Sequence, residues 1–406
     1  GGIEVDPQEV VDNLQYQPIT GADGKQYVVG TYYLDPNPNK SGETLEGPIP
    51  LVIWDEEEGW REFSTREMEN LSKIIWGTTV DGLDEWYNPL LQKALRSNFS
   101  LLMTGGQVMP FVVDQWGWQG GKDARTVASK NDVILYLHPG FYPRFFPEKL
   151  RNANKETVDL YIDDYLNNYL DLVRKSGNGL RPTFFNIVNE AVWMYKGNMG
   201  WYTSNENPLY RIYGESWIAE VYTRAYQKAQ ERGLKIGKDI IFIYNDAELT
   251  NPEKARFVHT ILTNQKSIIA RRLGLSESDI QLDVGIQLHL SEDPRDFPSY
   301  IPVPTDRQLL EAINLFSSIG RIHLTEFDVK GVTEQRRVEI IGNIVRVAIE
   351  SGKVDSITLW NTFRFLPTLE NVFDYGPNGL FDRNYNRTML YYSILKLWYE
   401  AIKNSP

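Results

Sequence analysis

The sequence contains no cysteine and only four histidines. The absence of cysteine excludes disulfides, thiolate metal sites and a cysteine nucleophile. It leaves the cellular compartment open, because secreted bacterial proteins can also lack cysteine. No apolar run approaches the roughly 18 residues that a membrane-spanning helix needs, so we expect no membrane partner.

Positive charge is also in deficit. The chain has 42 Lys and Arg against 54 Asp and Glu, which gives a formal net charge of −12. Nucleic acids and anionic lipids attract cationic surfaces, so we expect no nucleic-acid partner. We also expect the protein to be a monomer. The sequence starts with Gly-Gly rather than Met. We therefore expect a secreted protein whose targeting peptide has been removed, with a cytoplasmic location as the alternative.

Aromatic residues, by contrast, are abundant. They make up 13% of the chain and include 11 Trp and 23 Tyr. Two interpretations stay open at this point. The rings either fill an aromatic-rich core or line a cleft in which they stack on sugars or other flat ligands.

Short β-rich runs alternate with amphipathic helical segments along the chain. The β-rich runs cover residues 73–80, 99–104, 132–138, 183–190, 239–246, 283–290, 321–329 and 356–363. The helical segments cover residues 157–175, 215–232, 252–273, 305–318 and 334–351. Several runs are almost continuously apolar, which is typical of parallel strands that helices cover on both faces.

This alternation predicts an α/β fold, a (β/α)₈ barrel over residues 61–406. A length of 406 residues would also accommodate two or three domains. The structural alternative is a doubly wound open sheet, which favours a glycine-rich phosphate turn after an early strand. The nearest candidate, T-G-G-Q at residues 104–107, lacks the G-x-G-x-x-G spacing, so we favour the barrel.

Residues 1–60 do not fit the period of the barrel. Strand-like segments at 26–34 and 48–54, and turn residues at 35–39, predict a small N-terminal β-rich extension packed on the barrel.

Polar residues, and on the eighth strand a Trp, occur at the carboxyl ends of six predicted strands, which is where barrel active sites lie. They are His138, Asn189, Glu190, Asn245, Gln287, His289, Glu326, Asp328 and Trp360. A single Glu at a strand end is usually a solvated loop residue. Two of them, on the fourth and seventh strands and accompanied by His, Gln and Trp from other strands, are difficult to attribute to chance.

Two facing carboxyl groups suit the hydrolysis of a glycoside. One carboxyl group is protonated and donates to the leaving oxygen, while the other is ionised and attacks carbon. We expect His289 and Asp328 to orient Glu326, and we expect the amide of Asn189 to donate to a sugar hydroxyl beside the reaction centre.

Other kinds of catalytic site find little support in the sequence. The four histidines are scattered and form no H-E-x-x-H pair, so we expect no metal site and no cofactor. No G-x-S-x-G elbow is present for a serine hydrolase.

The strand-end motifs together resemble glycoside hydrolase family 10, the endo-β-1,4-xylanases of the retaining (β/α)₈ clan. Residues 186–190 read N-I-V-N-E where the family has D-V-V-N-E, and residues 325–329 read T-E-F-D-V where it has T-E-L-D-I. Residues 287–289 are similar to its Q-S-H, residues 245–246 match its N-D, and His138 matches the His of its W-H.

The resemblance extends through residues 210–219 (Y-R-I-Y-G-E-S-W-I-A) and the L-F-D and Y-Y near the end of the chain, and it covers residues 74–405. It implies that Glu190 is the acid/base and Glu326 the nucleophile, which His289 and Asp328 support. The substrate-binding residues that it implies are His138, Asn189, Asn245, Gln287 and Trp360, the last packing beneath the sugar.

The sequence departs from the family pattern after the second strand. The family has T-P-E-N-E-M-K-W, whose Glu, Asn and Lys bind xylose hydroxyls on the glycone side, and residues 104–111 here read T-G-G-Q-V-M-P-F. Ala247 replaces the Tyr expected after N-D, and Arg364 comes early, with no Trp in residues 361–382. Trp116 and Trp118 either replace the lost contacts by stacking or simply cover a loop.

We therefore expect a retaining endo-acting hydrolase that cleaves internal β-1,4 linkages of a plant-type polysaccharide, with xylan as the first candidate. Its partner would be the polysaccharide or oligosaccharide substrate. Another β-glycanase, an oligosaccharide-specific β-glycosidase and a non-catalytic carbohydrate-binding barrel are the alternatives.

Overall fold

The computed structural model describes residues 14–34, 47–80, 86–177, 179–203, 205–360, 362–363 and 379–405. The turn residues predicted at 35–39, the first 13 residues of the predicted extension, and Arg364 lie outside the described residues.

Eight parallel strands form a closed barrel. Each strand pairs with the next one along the chain, and the eighth pairs with the first. The strands, numbered here as barrel strands 1 to 8, are Ile75–Val80, Leu101–Thr104, Ile134–Leu137, Thr183–Asn189, Ile240–Asp246, Asp283–Ser291, Ile322–Lys330 and Val354–Leu359. The predicted barrel is therefore confirmed, and each strand overlaps the run predicted for it. A two-residue strand, Ile301–Pro302, pairs with strand 6.

Helices surround the strands, and capping residues set their ends. The helices are Met68–Ser72, Pro89–Asn98, Pro110–Trp116, Gln119–Lys130, Lys155–Leu170, Pro208–Tyr213, Trp217–Glu231, Pro252–Leu273, Asp306–Phe316, Glu334–Ser351 and Met389–Lys403. The predicted bounds 252–273 and 334–351 are confirmed. In the first of these, Asn251 accepts two backbone N–H bonds at the start and Gly274 ends the helix in the left-handed conformation.

The helix predicted at 157–175 lies instead at Lys155–Leu170, because Asn154 caps its first turn. The helices predicted at 215–232 and 305–318 are each shorter by a few residues, at Trp217–Glu231 and Asp306–Phe316. The prediction also left out a β-hairpin, Val192–Tyr195 with Asn198–Trp201, which follows strand 4.

An antiparallel four-stranded sheet precedes the barrel. Its strands are Gln15–Thr20, Gln26–Leu34, Gly47–Asp55 and Gly59–Glu62, in that order across the sheet. The predicted strand at 26–34 is confirmed, and the one at 48–54 lies within the third strand. The sheet packs on the last helix, where the Phe63 and Tyr399 rings meet edge to face at 5.9 Å. The division into an extension, 1–60, and a catalytic domain, 61–406, stays a prediction.

The core consists of two apolar clusters, a large one that spans the strands, the helices and the N-terminal sheet, and a small separate one on strands 2 to 5. Aromatic rings contribute strongly to both. Trp76 of strand 1 meets Trp398 of the last helix at 4.3 Å between ring centroids, and Trp398 is fully buried. Among the described residues, no helix combines the length and the apolar character that a membrane span requires.

The Trp76–Trp398 contact predicts a large effect of truncation. Trp398→Ala removes a buried ring and leaves a cavity, so we expect the free energy of unfolding to fall by about 3–5 kcal/mol. The control is Trp116→Ala, since Trp116 is 67% exposed and should change stability by about 0.5 kcal/mol or less. Equal losses in urea unfolding would contradict this description of the core.

Candidate active site

Glu190, directly after strand 4, and Glu326, within strand 7, occupy strained backbone positions. Their φ angles, +50° and +52°, lie in the left-handed region, which costs a non-glycine residue about 1 kcal/mol or more. The pairing of strand 7 with strand 8 also shifts register between Leu324 and Phe327. Bulges of this kind re-aim side chains, and both carboxylates reach one connected group of amides and imidazoles.

The Glu326 carboxylate is almost fully buried, at 7% exposure. One of its oxygens lies 3.2 Å from His289 Nε2, and the other accepts a hydrogen bond from Asn245 Nδ2 at 3.0 Å. His138 Nε2 lies 3.8 Å from the second oxygen. Burial alone would raise the pKa of Glu326, but the two histidines and the amide outweigh it and lower that pKa below its ordinary value. The carboxylate is therefore held in its ionised form.

His289 lies between two carboxylates. Its Nδ1 is 2.7 Å from Asp328 Oδ1, and the Tyr300 hydroxyl donates to the other oxygen of Asp328 at 2.9 Å. Burial would lower the pKa of His289, but hydrogen bonds to Asp328 and Glu326 and the charges of both raise it to about 10. His289 is thus a cation at neutral pH, with both ring N–H groups donating to carboxylates.

Glu190 lies among hydrogen-bond donors from two strands and a loop. Asn189 Nδ2 and Gln287 Nε2 each donate to the same Glu190 oxygen at 3.1 Å. The Tyr142 hydroxyl also contacts Glu190: burial, then the charge of Glu190 and a hydrogen bond to it, raise the pKa of Tyr142 far above its ordinary value. These contacts fix the orientation of the Glu190 side chain.

Asn245 connects the surroundings of the two glutamates. Its Nδ2 donates to Asn189 Oδ1 at 2.8 Å as well as to Glu326, and its own oxygen accepts from the Thr325 hydroxyl. Because Asn189 in turn donates to Glu190, a continuous chain of two amides joins the two carboxylates.

The last two predicted residues complete the cluster. His138 is bonded through Nδ1 to Asn186 Oδ1 at 2.7 Å, which leaves Nε2 directed to Glu326. The Trp360 ring meets His138 and His289 edge to face, with centroids 6.1 and 5.5 Å away. All nine predicted site residues therefore lie in one connected group, while their roles stay predictions.

Sequence reasoning missed Tyr142, Tyr300 and a buried ion pair behind Glu190. Asp246 accepts hydrogen bonds from Lys254 Nζ at 3.0 Å and from the Tyr244 hydroxyl at 2.6 Å, and all three side chains are at most 1% exposed. Burial raises the pKa of Asp246 to about 6, with Lys254 opposing the rise. The motif N-D at residues 245–246 was a sequence signal for Asp246. Lys254 lies on the following helix, and no sequence motif indicated it.

The same buried group holds the backbone beside Glu190. The Tyr244 hydroxyl accepts from the backbone N–H of Ala191 at 3.3 Å, and the carbonyl of Asn245 accepts from the N–H of Glu190 at 2.8 Å. The end of strand 5 therefore fixes the main chain from which the Glu190 side chain projects.

The segment that departs from the family pattern, residues 104–111, makes hydrogen bonds within its own loop. The Gln107 side chain accepts hydrogen bonds from the N–H groups of Gly105 and Gly106 at 2.7 and 3.1 Å. Trp118 packs against Tyr165 and Tyr169, with centroids 5.1 and 5.9 Å away, which favours the interpretation that it covers a loop. The exposed Trp116 remains available for stacking.

One group of side chains among the described residues has the spacing of a metal site, at the opposite end of the barrel. The ligand atoms of Asp283, His323 and Asp355 lie within 4.8 Å of one another. However, His323 uses one nitrogen on Asp283 and the other on Ser356, and Arg321 donates to Asp355. These hydrogen bonds occupy the atoms that a metal ion would need.

Comparison with known proteins relates this geometry to one family. The sequence profile of Glycosyl hydrolase family 10 matches residues 91–397. No curated protein sequence matches the chain.

Several solved structures share its fold. Xylanase 10B from Thermotoga maritima has 20% identity and a TM-score of 0.64, over 84% of this chain and 99% of that one. The family 10 xylanase from Bispora sp. MEY-1, solved with xylobiose, has 16% identity and a TM-score of 0.64, over 82% of this chain and 100% of that one. Xylanase 10B from Thermotoga petrophila RKU-1, also in complex with xylobiose, has 19% identity and a TM-score of 0.63, over 84% and 99%.

The raised pKa of His289 predicts a pH-dependent contribution to stability. A group whose pKa rises on folding stabilises the protein fully below its unfolded pKa, about 6.5, and loses that effect as pH rises to the folded value. His289→Asn should therefore lower the free energy of unfolding by about 3 kcal/mol or more at pH 6. The difference from wild type should shrink steadily toward pH 10.

The control is Tyr300→Phe, which removes the hydrogen bond to Asp328 but no charge. Its effect should be about 1 kcal/mol and nearly constant over the same pH range. Denaturant unfolding at several pH values measures both variants, and a pH-independent loss in His289→Asn would show that His289 is not charged in the fold.

Proposed function

The chain belongs to glycosyl hydrolase family 10, and on that premise we propose that it cleaves internal β-1,4 linkages of a plant-type polysaccharide, xylan first, with retention of configuration. The observation that carries the proposal is the pair of carboxylates joined by Asn189 and Asn245, one of them held ionised by His138 and His289. A polymer of this kind lies outside the cell, so we also propose that the enzyme is secreted.

In the first step, a Glu326 oxygen attacks the anomeric carbon while Glu190 donates its proton to the glycosidic oxygen. The bond between that carbon and that oxygen breaks, and the leaving sugar departs as an alcohol. Glu326 suits the nucleophilic role because its lowered pKa keeps it ionised. In a retaining enzyme the two carboxyl groups are about 5–5.5 Å apart.

In the second step, Glu190 is a carboxylate and removes a proton from water. The water oxygen attacks the same carbon, the ester bond to Glu326 breaks, and the sugar is released with its original configuration. The imidazolium of His289 stabilises the carboxylate of Glu326 as it leaves, and Asp328 keeps His289 protonated.

The remaining residues would hold the sugar beside the reaction centre. We assign this role to His138, Asn189, Asn245, Gln287 and Trp360. The amides already orient the two carboxylates, so a sugar hydroxyl that bonds to Asn189 would be aligned with Glu190. Trp360, packed against two imidazoles, offers an aromatic surface for the apolar face of the sugar.

Xylan is proposed because the fold matches that of xylanases, two of which were solved with xylobiose. The altered segment after strand 2 favours a second candidate, another β-glycanase or an oligosaccharide-specific β-glycosidase, because Gln107 bonds to its own loop there. A non-catalytic carbohydrate-binding barrel is the third candidate. Release of reducing ends from xylan, mixed-linkage glucan, mannan and short oligosaccharides separates the three.

Substitution of either glutamate tests the assignment of roles. We expect Glu190→Gln and Glu326→Gln each to lower kcat by several orders of magnitude, since each removes a group that reacts with substrate, while the circular dichroism spectrum is unchanged. Glu292→Gln is the control, because Glu292 pairs with Arg336 at the same end of the barrel. If either catalytic variant turned over substrate like wild type, the proposed mechanism would be wrong.

A further inference from the structure

A third glutamate with left-handed backbone lies at the same end of the barrel and has no part in the proposed mechanism. Glu248 comes two residues after strand 5, and its φ angle is +63°. This conformation is costly for a residue other than glycine unless the surroundings enforce it, and such positions concentrate at functional sites. Glu248 is therefore a candidate for a further role beside Glu190 and Glu326.

The turn that carries Glu248 is fixed on both sides. After it, the Leu249 side chain is fully buried, and the carbonyl of Glu248 accepts a hydrogen bond from the N–H of Asn251 at 3.1 Å. Before it, the N–H of Ala247 donates to Asp246 Oδ1 at 2.8 Å. The connection from strand 5 to the next helix thus holds the Glu248 backbone in its strained conformation.

The Glu248 side chain shares a buried cation with Asp246. Lys254 Nζ lies 3.0 Å from Asp246 Oδ1 and 3.6 Å from Glu248 Oε1, and the Lys254 side chain is 1% exposed. Burial alone would lower the pKa of Lys254, but the charges of the nearby carboxylates raise it above its ordinary value. Because Asp246 and Lys254 balance each other, Glu248 leaves this group with one net negative charge.

This negative charge lies near Glu190. The carbonyl of Asn245 accepts from the N–H of Glu190, so strands 4 and 5 are joined at this level. Burial raises the pKa of Glu248, Lys254 opposes the rise, and the charge of Glu190 adds to it. Since repulsion between two carboxylates is mutual, the charge of Glu248 also opposes the ionisation of Glu190.

The other titratable groups around Glu190 come from different elements. They are Tyr142 and Arg144 after strand 3, Tyr202 after the β-hairpin, and Glu326 on strand 7. The two tyrosines are neutral, because burial raises the pKa of each. Arg144 favours an ionised Glu190, and Glu326 opposes it. Asp246 is paired with Lys254 and Glu326 reacts with substrate, so Glu248 is the negative charge that can be removed alone.

We propose that the negative charge of Glu248, held by Lys254 beside Asp246, keeps Glu190 protonated in the free enzyme. This inference rests on the proposed function for the role of Glu190 as the acid/base. In the first step the charge preserves the proton that the glycosidic oxygen receives, and in the second step it makes Glu190 a stronger base toward water. Glu248 acts through its charge alone, and it is a positioning residue for the proton.

The pH dependence of kcat/KM with a xylo-oligosaccharide substrate tests this role. The acid limb of the profile follows ionisation of Glu326, and the basic limb follows loss of the proton from Glu190. Glu248→Gln should move the basic limb to lower pH by about half a unit, because one nearby negative charge is lost. A merely structural role would lower the plateau and leave the basic limb in place.

Three further variants complete the comparison. Glu248→Gly removes the same charge and relieves the left-handed backbone, so it should fold and move the basic limb in the same direction. Glu248→Asp keeps the charge on a residue that tolerates this backbone, so its basic limb should stay near that of wild type. Glu253→Gln is the matched control: Glu253 is exposed in the first turn of the helix that carries Lys254, and solvent screens its charge.

A titration without substrate separates this inference from the proposed function. In protein labelled with ¹³C at the glutamate carboxyl carbon, the NMR signal of Glu190 is the one that is absent from Glu190→Gln. The midpoint of its titration should fall by about half a pH unit in Glu248→Gln, and it should be unchanged in Glu253→Gln. This measurement requires no turnover.

An unmoved midpoint and basic limb in both Glu248→Gln and Glu248→Gly would overturn the inference. An equal movement in Glu253→Gln would also overturn it, because net charge at large would then be the cause. If the wild-type protein hydrolysed no β-linked polysaccharide, the proposed function would be refuted instead, while the titration would still decide whether Glu248 acts on Glu190.

Discussion

A buried carboxylate, that of Glu326, is the constraint on which the site depends. An ionised carboxylate at 7% exposure is costly unless it is paired and hydrogen-bonded. Its partners come from three other strands: His138 from strand 3, Asn245 from strand 5 and His289 from strand 6. Only a closed barrel brings those strand ends around one point. The closure of the sheet and the charge state of Glu326 are therefore linked, and a variant that loosens the barrel would also release the carboxylate.

Much of the fold could be predicted from the sequence, because apolar strands and amphipathic helices alternate with a clear period. The helix Pro252–Leu273 matched its predicted bounds since Asn251 and Gly274 mark both ends. The predicted site residues also met, since the carboxyl ends of parallel strands converge in any barrel. Tyr142 and Tyr300 could not be predicted, because loop residues follow no period and reach the site only through the path of the loops. The left-handed φ angles of Glu190 and Glu326 likewise depend on tertiary structure, which holds them against local preference.

The chain departs from its family pattern most clearly at one segment near the candidate site. After strand 2 the Glu, Asn and Lys of the family pattern are absent, and Gln107 bonds to Gly105 and Gly106 instead. The residues around Glu190 and Glu326, by contrast, follow the pattern. The proposed reaction and the proposed polysaccharide therefore rest on different parts of the chain.

The most direct test of the central claim is to trap the covalent intermediate. An activated 2-deoxy-2-fluoro xylobioside reacts with a retaining enzyme but slows the hydrolysis that follows, so the sugar stays attached long enough for mass spectrometry of the digested protein. Our account predicts one added sugar per chain, on the peptide that contains Glu326, and none in Glu326→Gln. Attachment to Glu190, or release of product with inverted configuration and no adduct, would contradict it.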